Sequence, residues 1–268
     1  QIYHRTVNAI RSIDEKHIIF LEGDLFSNLF EGLDAPFDDN LVYSSHNYIP
    51  PCMGPGAYPG EIRGEYWKKD KIREEFVSRQ GWEFTQKHNV PLWVGEFGCV
   101  FNGQPGEIPH RLKALEDQID IFEELGVHWT TWTYKDIGVM GWARVHPESE
   151  YMKKIEPIQE AKRLLNVDLW TSWMTSTRTK EIIGRLCRHV ESVLEDPDIE
   201  ASTNEHFMSQ VALSGYLSGL MQPIWAKRFA GMSEEDIDRV LQSFALKNCH
   251  KGTGLIEALK KNMTRPAG

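Results

Sequence analysis

The stretch Pro91-Leu-Trp-Val-Gly-Glu-Phe-Gly98 decides the reading of this chain. Leu92-Trp93-Val94 is too short for a helix and consists of strand formers, so it reads as a buried parallel strand. Gly95 and Gly98 are expected to let the backbone bend where the strand stops. Glu96 is thereby left at the strand's carboxyl end, the side on which α/β folds build their sites. A buried Glu paired with an Arg or Lys would leave the same trace, so the neighbouring segments have to decide.

Three further runs share this form. His17-Ile-Ile-Phe-Leu-Glu-Gly23 is apolar and closes on a carboxylate and a glycine. Asn40-Leu-Val-Tyr-Ser-Ser-His-Asn-Tyr48 is a strand stopped by Pro50-Pro51. His128-Trp-Thr-Thr-Trp-Thr-Tyr134 is the fourth, running out to Lys135-Asp136. Between them lie helical patterns: residues 2–13 with Ile2, Thr6, Ala9, Ile10 and Ile13 on one face, Glu65 to His88, Pro109 to Leu125, and Glu150 to Leu165. A Gly/Pro-rich loop fills 50–64, a length at which loops in compact domains are often functional. Alternation of this kind predicts a parallel sheet with right-handed crossovers. All four strand ends then lie on one rim, which gathers Glu22, Asp24, His46, Tyr48, Glu96, Lys135 and Asp136. Core packing does not account for four strands that each end in polar groups.

The strand signal stops near Asp168. Helical patterns cover Thr175 to Leu194, His206 to Ala230, Ser233 to Lys247 and Gly254 to Asn262, with an acidic linker at 195–205. The expected organisation is therefore an α/β unit over 1–167 and an all-α extension over 168–268. The extension would either cover a flank of the sheet or bind a partner.

Composition narrows the chemistry. The 268 residues carry a net charge of −9, and no basic stripe exists to neutralise phosphates, so nucleic acid is not an expected partner. The 9 Trp, 8 Tyr and 12 Phe are plentiful; Trp packs cores in any protein, and Trp-rich clefts also stack on sugar rings. Cys52, Cys99, Cys187 and Cys249 form no Cys-x-x-Cys pair, so neither a zinc site nor a redox motif is indicated. No apolar run approaches the roughly 20 residues of a membrane span, so no membrane partner is expected. Gln1 is neither an initiator Met nor part of a signal peptide, and the compartment, secreted or cytoplasmic, stays open.

Four pieces, Phe20-Leu-Glu-Gly23, Ser45-His-Asn-Tyr48, Trp93-Val-Gly-Glu-Phe-Gly98 and Trp129-Thr-Thr-Trp-Thr-Tyr-Lys135, follow one another with helix-length spacers. In that order they resemble the C-terminal half of the catalytic domain of glycoside hydrolase family 5. That family is a retaining (β/α)8 TIM barrel, and the four strands would be its strands 5 to 8. The resemblance covers about 1–165 and implies a glycosidase of β-linked polysaccharides, of the cellulose/β-glucan or mannan type, needing no metal or cofactor. It makes Glu96 the nucleophile, His46 and Tyr48 its strand-6 neighbours, and Trp132 the floor under the sugar whose bond is cut. The Tyr48 hydroxyl would hold the nucleophile ionised by donating to it. Glu22, Asp24, Lys135 and Asp136 would bind sugar or support the carboxylates, and the loop through Trp142 would help set the substrate. Trp129 is expected to pack against helices. For each residue a plain structural role remains open: a loop tyrosine, a backbone-bonded histidine, a core tryptophan.

The family's acid/base Glu, in an Asn-Glu pair after strand 4, has no counterpart here. Asn204-Glu205 follows no strand and is rejected for that role. The expectation is a fragment lacking that Glu, inactive alone, whose N-terminal half barrel is supplied in cis or in trans. The rival expectation is a half barrel that binds carbohydrate without catalysis.

Overall fold

A computed structural model describes residues 2–101, 105–165, 178–195, 204, 205, 207, 208 and 214–263. The expected 167/168 boundary, the start of the 175–194 helix, most of the acidic linker and much of the first half of the 206–230 helix fall outside these residues.

Four parallel strands form the central sheet, in the spatial order Ile19–Glu22, Leu41–His46, Leu92–Glu96 and His128–Trp129. The second and third strands, and the third and fourth, are joined through helical crossovers, whereas the first and second are joined by a loop whose one short turn, Asp24–Ser27, carries left-handed Leu25 and Phe26. Leu21, Tyr43 and Val94 point to one side and are buried. Register places Glu22 beside Ser44, Ser44 beside Trp93, and Trp93 beside His128, so these residues share a row on the other side. Phe20 also lies on that second face. It meets Trp93 edge-on, with ring centroids 5.4 Å apart, yet stays 48% exposed. Parallel strands ordinarily read as buried on both faces. Here the second face is open, and no closed barrel forms among the described residues.

The buried face rests on a core that includes Phe76, Phe97, Leu115, Ile119 and Phe122. Alternating apolar positions along the helix Ile108–Glu124 supply its largest share. The helix Ile2–Arg11 closes the other end of the sheet through Val7. Arg11 at its last turn grips Asp38 with two hydrogen bonds of 2.8 and 2.9 Å. That guanidinium, together with the Asn40 backbone amide, holds the Asp38 carboxyl down at about 2.

Three expectations are corrected. The single helix over 65–88 is a strand, Glu65–Trp67, followed by two helices, Lys69–Val77 and Gln80–His88. The chain breaks at Arg79, which is extended at φ −80 and ψ 143. The break turns Arg79 inward, where its guanidinium meets backbone carbonyls described below. The fourth strand ends at Trp129, not Tyr134. Beyond it the chain still follows its neighbour, through Thr130 N donating to the Val94 carbonyl at 2.9 Å and Trp132 N to that of Phe97 at 2.8 Å. The C-terminal region is not purely helical. Cys249–Lys251 pairs antiparallel with Ala143–Val145, which pairs in parallel with Lys135–Asp136. The last helix, Thr253–Met263, sends Leu255 and Leu259 into the main core.

Candidate active site

Glu96 is placed by a local irregularity. Ser45 pairs with Val94, but the next residue, His46, pairs with Glu96, so Gly95 is skipped in the register. A Cβ at Gly95 would lie 2.7 Å from the Ser44 hydroxyl oxygen. Gly98 has the same kind of role: a Cβ there would lie 2.5 Å from the Trp132 carbonyl oxygen. Neither glycine has a left-handed φ, so both serve close approach where the sequence suggested a bend. Asn47 N donates to the Glu96 carbonyl at 2.8 Å and ties the two strand ends together.

The result is a carboxylate flanked by His46, the last residue of the neighbouring strand, and by Tyr48, two residues beyond it. The Tyr48 hydroxyl donates to Glu96 Oε2 at 2.9 Å. Burial, then the Glu96 charge and this hydrogen bond, push the Tyr48 phenol well above its ordinary value. It therefore keeps its proton and acts as a donor. His46 stands between two carboxylates, its Nδ1 at 3.6 Å from Glu96 Oε2 and its Nε2 at 3.8 Å from Glu22 Oε1. These spans exceed direct hydrogen bonds and leave His46 an electrostatic neighbour of both. Glu22 is more exposed and accepts from the Ser44 hydroxyl at 3.4 Å. Both contacts from the neighbouring segment, Tyr48 Oη and His46 Nδ1, fall on the same Glu96 oxygen, Oε2.

Arg79 supports this constellation from below, and sequence reading missed it. Its guanidinium donates to the carbonyls of Tyr48, at 3.3 Å, and His46, at 3.5 Å, and to the Asn28 side-chain oxygen at 3.3 Å. Burial lowers its affinity for its proton. Its position inside an apparent helix hid it, and the weak helix formers Ser78 and Gly81 beside it are the local signal of the break.

The remaining expected residues divide. Trp132 is 44% exposed and lies beside the Gly98 turn. Trp142 is half-buried and its indole donates to the Thr131 hydroxyl at 2.6 Å. Trp129 packs edge-on against Phe97 and donates to Glu123 at 2.8 Å, as expected of a residue facing helices. Lys135 and Asp136 are not brought to the carboxylate, nor do they pair with each other. Lys135 Nζ donates to the Phe244 carbonyl at 2.7 Å. Asp136 accepts from the backbone amides of Gly138, Val139 and Met140 at 2.6 to 3.2 Å. Their polar atoms are spent on loop backbone, so neither reads as a sugar ligand. Glu205 lies against Gly184 and Arg188 of the C-terminal region. Among the described residues no three His, Cys, Asp or Glu side chains cluster to hold a metal, and no helix is long and apolar enough to cross a membrane.

The chain is thus an α/β protein whose parallel sheet carries a tyrosine-bound carboxylate at its strand ends and, on the segment after the last strand, an exposed tryptophan. A sequence model of the Cellulase family (glycosyl hydrolase family 5) matches residues 1–138, and the chain belongs to that family. It is 27% identical to a "Beta-xylosidase" of Phanerodontia chrysosporium over 282 residues, covering 97% of this chain and 56% of that protein. It is 26% identical to "Endoglucanase C" of Acetivibrio thermocellus over 163 residues, covering 48% of this chain and 47% of that one. The chain thus spans about half the length of the curated relatives it matches. Among solved structures, endoglucanase Cel5A of Thermotoga maritima is similar at 22% identity and a TM-score of 0.40, covering 49% of this chain and 45% of that one.

Proposed function

We propose that this chain carries the nucleophile half of a retaining glycosidase acting on a β-linked polysaccharide of the β-glucan or mannan type. The observation that carries the reading is the Tyr48 hydroxyl on Glu96 Oε2. A donor that cannot readily lose its proton fixes one carboxylate oxygen and leaves the other, Oε1, to attack the anomeric carbon. The Glu96–sugar ester forms as the bond to the leaving oxygen breaks. A second carboxyl protonates that oxygen, then takes a proton from the water that releases the sugar. No residue of this chain is assigned that second role. In the whole protein the two carboxyls would stand about 5–5.5 Å apart, the separation of retaining enzymes. Trp132 offers an exposed ring face to the sugar beside Glu96.

The nucleophile can be tested without the acid. A fluorinated β-cellobioside with a dinitrophenolate leaving group needs no protonation to depart, and the fluorine slows hydrolysis of the ester, so the adduct accumulates. The expected result is a mass increase of one fluoroglycosyl group mapped to Glu96. Glu96→Gln should slow labelling about a thousand-fold or more, about 4 kcal/mol. Sugar-dependent tryptophan fluorescence without any Glu96 adduct would instead establish the carbohydrate-binding reading, for which the exposed Trp132 is the supporting observation.

A further inference from the structure

We propose that Lys135 is a positioning residue through which the C-terminal segment holds the tryptophan platform in place for the sugar, an inference that rests on the glycosidase reading above. The platform leaves the sheet after Trp129 and doubles back on itself. Trp142 N donates to the Thr133 carbonyl at 3.1 Å and Ala143 N to that of Tyr134 at 3.0 Å. The Trp142 indole reaches the Thr131 hydroxyl across the same fold. Two plies of loop with one short parallel pairing make a weak unit by themselves.

What completes the unit comes from far along the chain. Cys249–Lys251 adds a third strand to the outer ply, and Gly252 N donates to the Trp142 carbonyl at 2.7 Å. Lys135 reaches the same segment from the inner ply. Its ammonium donates to the Phe244 carbonyl and sits 5.9 Å from the Phe244 ring centroid. Phe244 is itself wedged edge-on against Tyr151, at 4.6 Å, and Ser243 accepts from the Tyr151 amide at 3.3 Å. The helix that follows, Thr253–Met263, anchors the segment in the main core through Leu255 and Leu259. Both plies of the platform are therefore tied to one element that is rooted in the core. The carboxylate side of the site needs none of these ties, since Glu96, His46 and Tyr48 are held by the sheet and by Arg79.

The consequence is a separation of grip from chemistry. Loosening the tie lets Trp132 and Trp142 drift from the sugar while Glu96 stays poised. Labelling of the full chain by the fluorinated β-cellobioside, followed over inhibitor concentration by intact mass, gives a half-saturation concentration and a limiting rate. For Lys135→Met the first should rise about fivefold and the second stay within about twofold. Lys135→Arg, which can still donate to the Phe244 carbonyl, should restore the first. Phe244→Leu keeps the apolar wedge, removes the ring beneath the ammonium, and should give a smaller rise of the same kind. Unlabelled wild-type chain would overturn the nucleophile reading instead. With wild type labelled, an unchanged half-saturation in Lys135→Met overturns the tie, and so does a fall in limiting rate that follows a lowered melting temperature.

Discussion

Glu96 and His46 pair at the ends of adjacent parallel strands, Tyr48 follows two residues beyond His46, and a buried core backs the sheet. Trp132 and Trp142 ride on a loop whose fixing contacts include one from Lys135 to a residue 109 positions further on. One half of the site is thus held by neighbours in the sheet, and the other by a late segment returning to it. The difference teaches where tolerance to change should lie. A contact made by backbone ladders moves only when the sheet moves, whereas a loop held by a few side-chain ties can shift alone. The catalytic geometry should be all-or-none and the sugar platform graded.

The comparison can be broken most severely at Tyr48. Tyr48→Phe removes the donor on Glu96 Oε2 and leaves the ring in place. Labelling should slow about 10- to 100-fold, the range for losing a hydrogen bond to a charged group, with little change in half-saturation. A change confined to half-saturation would put Tyr48 on the sugar-gripping side and dissolve the division. Trp132→Ala should give the converse result. Loss of a ring that stacks on the sugar costs about 1–2 kcal/mol, so half-saturation should rise about tenfold with a lesser effect on the limiting rate. Isothermal titration with cellobiose checks the same change without chemistry.

The smallest effect should come from acid acting at one pair on the sheet side. The Asp38 carboxyl is held at about 2, below its ordinary 3.8, by Arg11 and the Asn40 amide. A carboxyl with a depressed folded value stabilises when ionised. Its contribution is present above about pH 4 and is lost as pH falls toward 2. The pair is part-buried but is one contact among many, so the drop in melting temperature over that window should be small, and Asp38→Asn should flatten it. A steep fall would show that the helix Ile2–Arg11 holds the sheet more tightly than one ion pair can.

The sheet side of the candidate site was the legible side. The run from Leu92 to Glu96 and the alternation in Leu41–His46 carry their faces in the order of their residues, so Glu96, His46 and Tyr48 were found from strand ends alone. Lys135 and Asp136 were read as rim ligands because the chain was taken to stay a strand to Tyr134. It leaves the sheet earlier, and their side chains turn to loop backbone instead. Cys249-His250-Lys251 has weak strand propensity and becomes a strand only because Ala143–Val145 offers an unpaired edge. Arg79 was hidden for a related reason. Ser78 and Gly81 beside the break are weak helix formers, but neither alone marks a break, and the carbonyls that recruit Arg79 lie 31 and 33 positions before it.

Two thiols lie sealed under the strand end that carries Glu96. Cys52 and Cys99 are almost wholly buried, and Val100 N donates to the Cys52 carbonyl at 3.0 Å. Burial pushes the Cys99 thiol up to about 12 and that of Cys52 well above its ordinary value, so neither is a ready thiolate at neutral pH. A thiol of that kind meets an alkylating reagent only when the structure above it opens. Cys249 is partly exposed in the same chain and supplies an internal reference for reagent strength. The molecule therefore carries its own clock for breathing of the floor beneath Glu96, one that needs no introduced label and runs whether or not a sugar is bound.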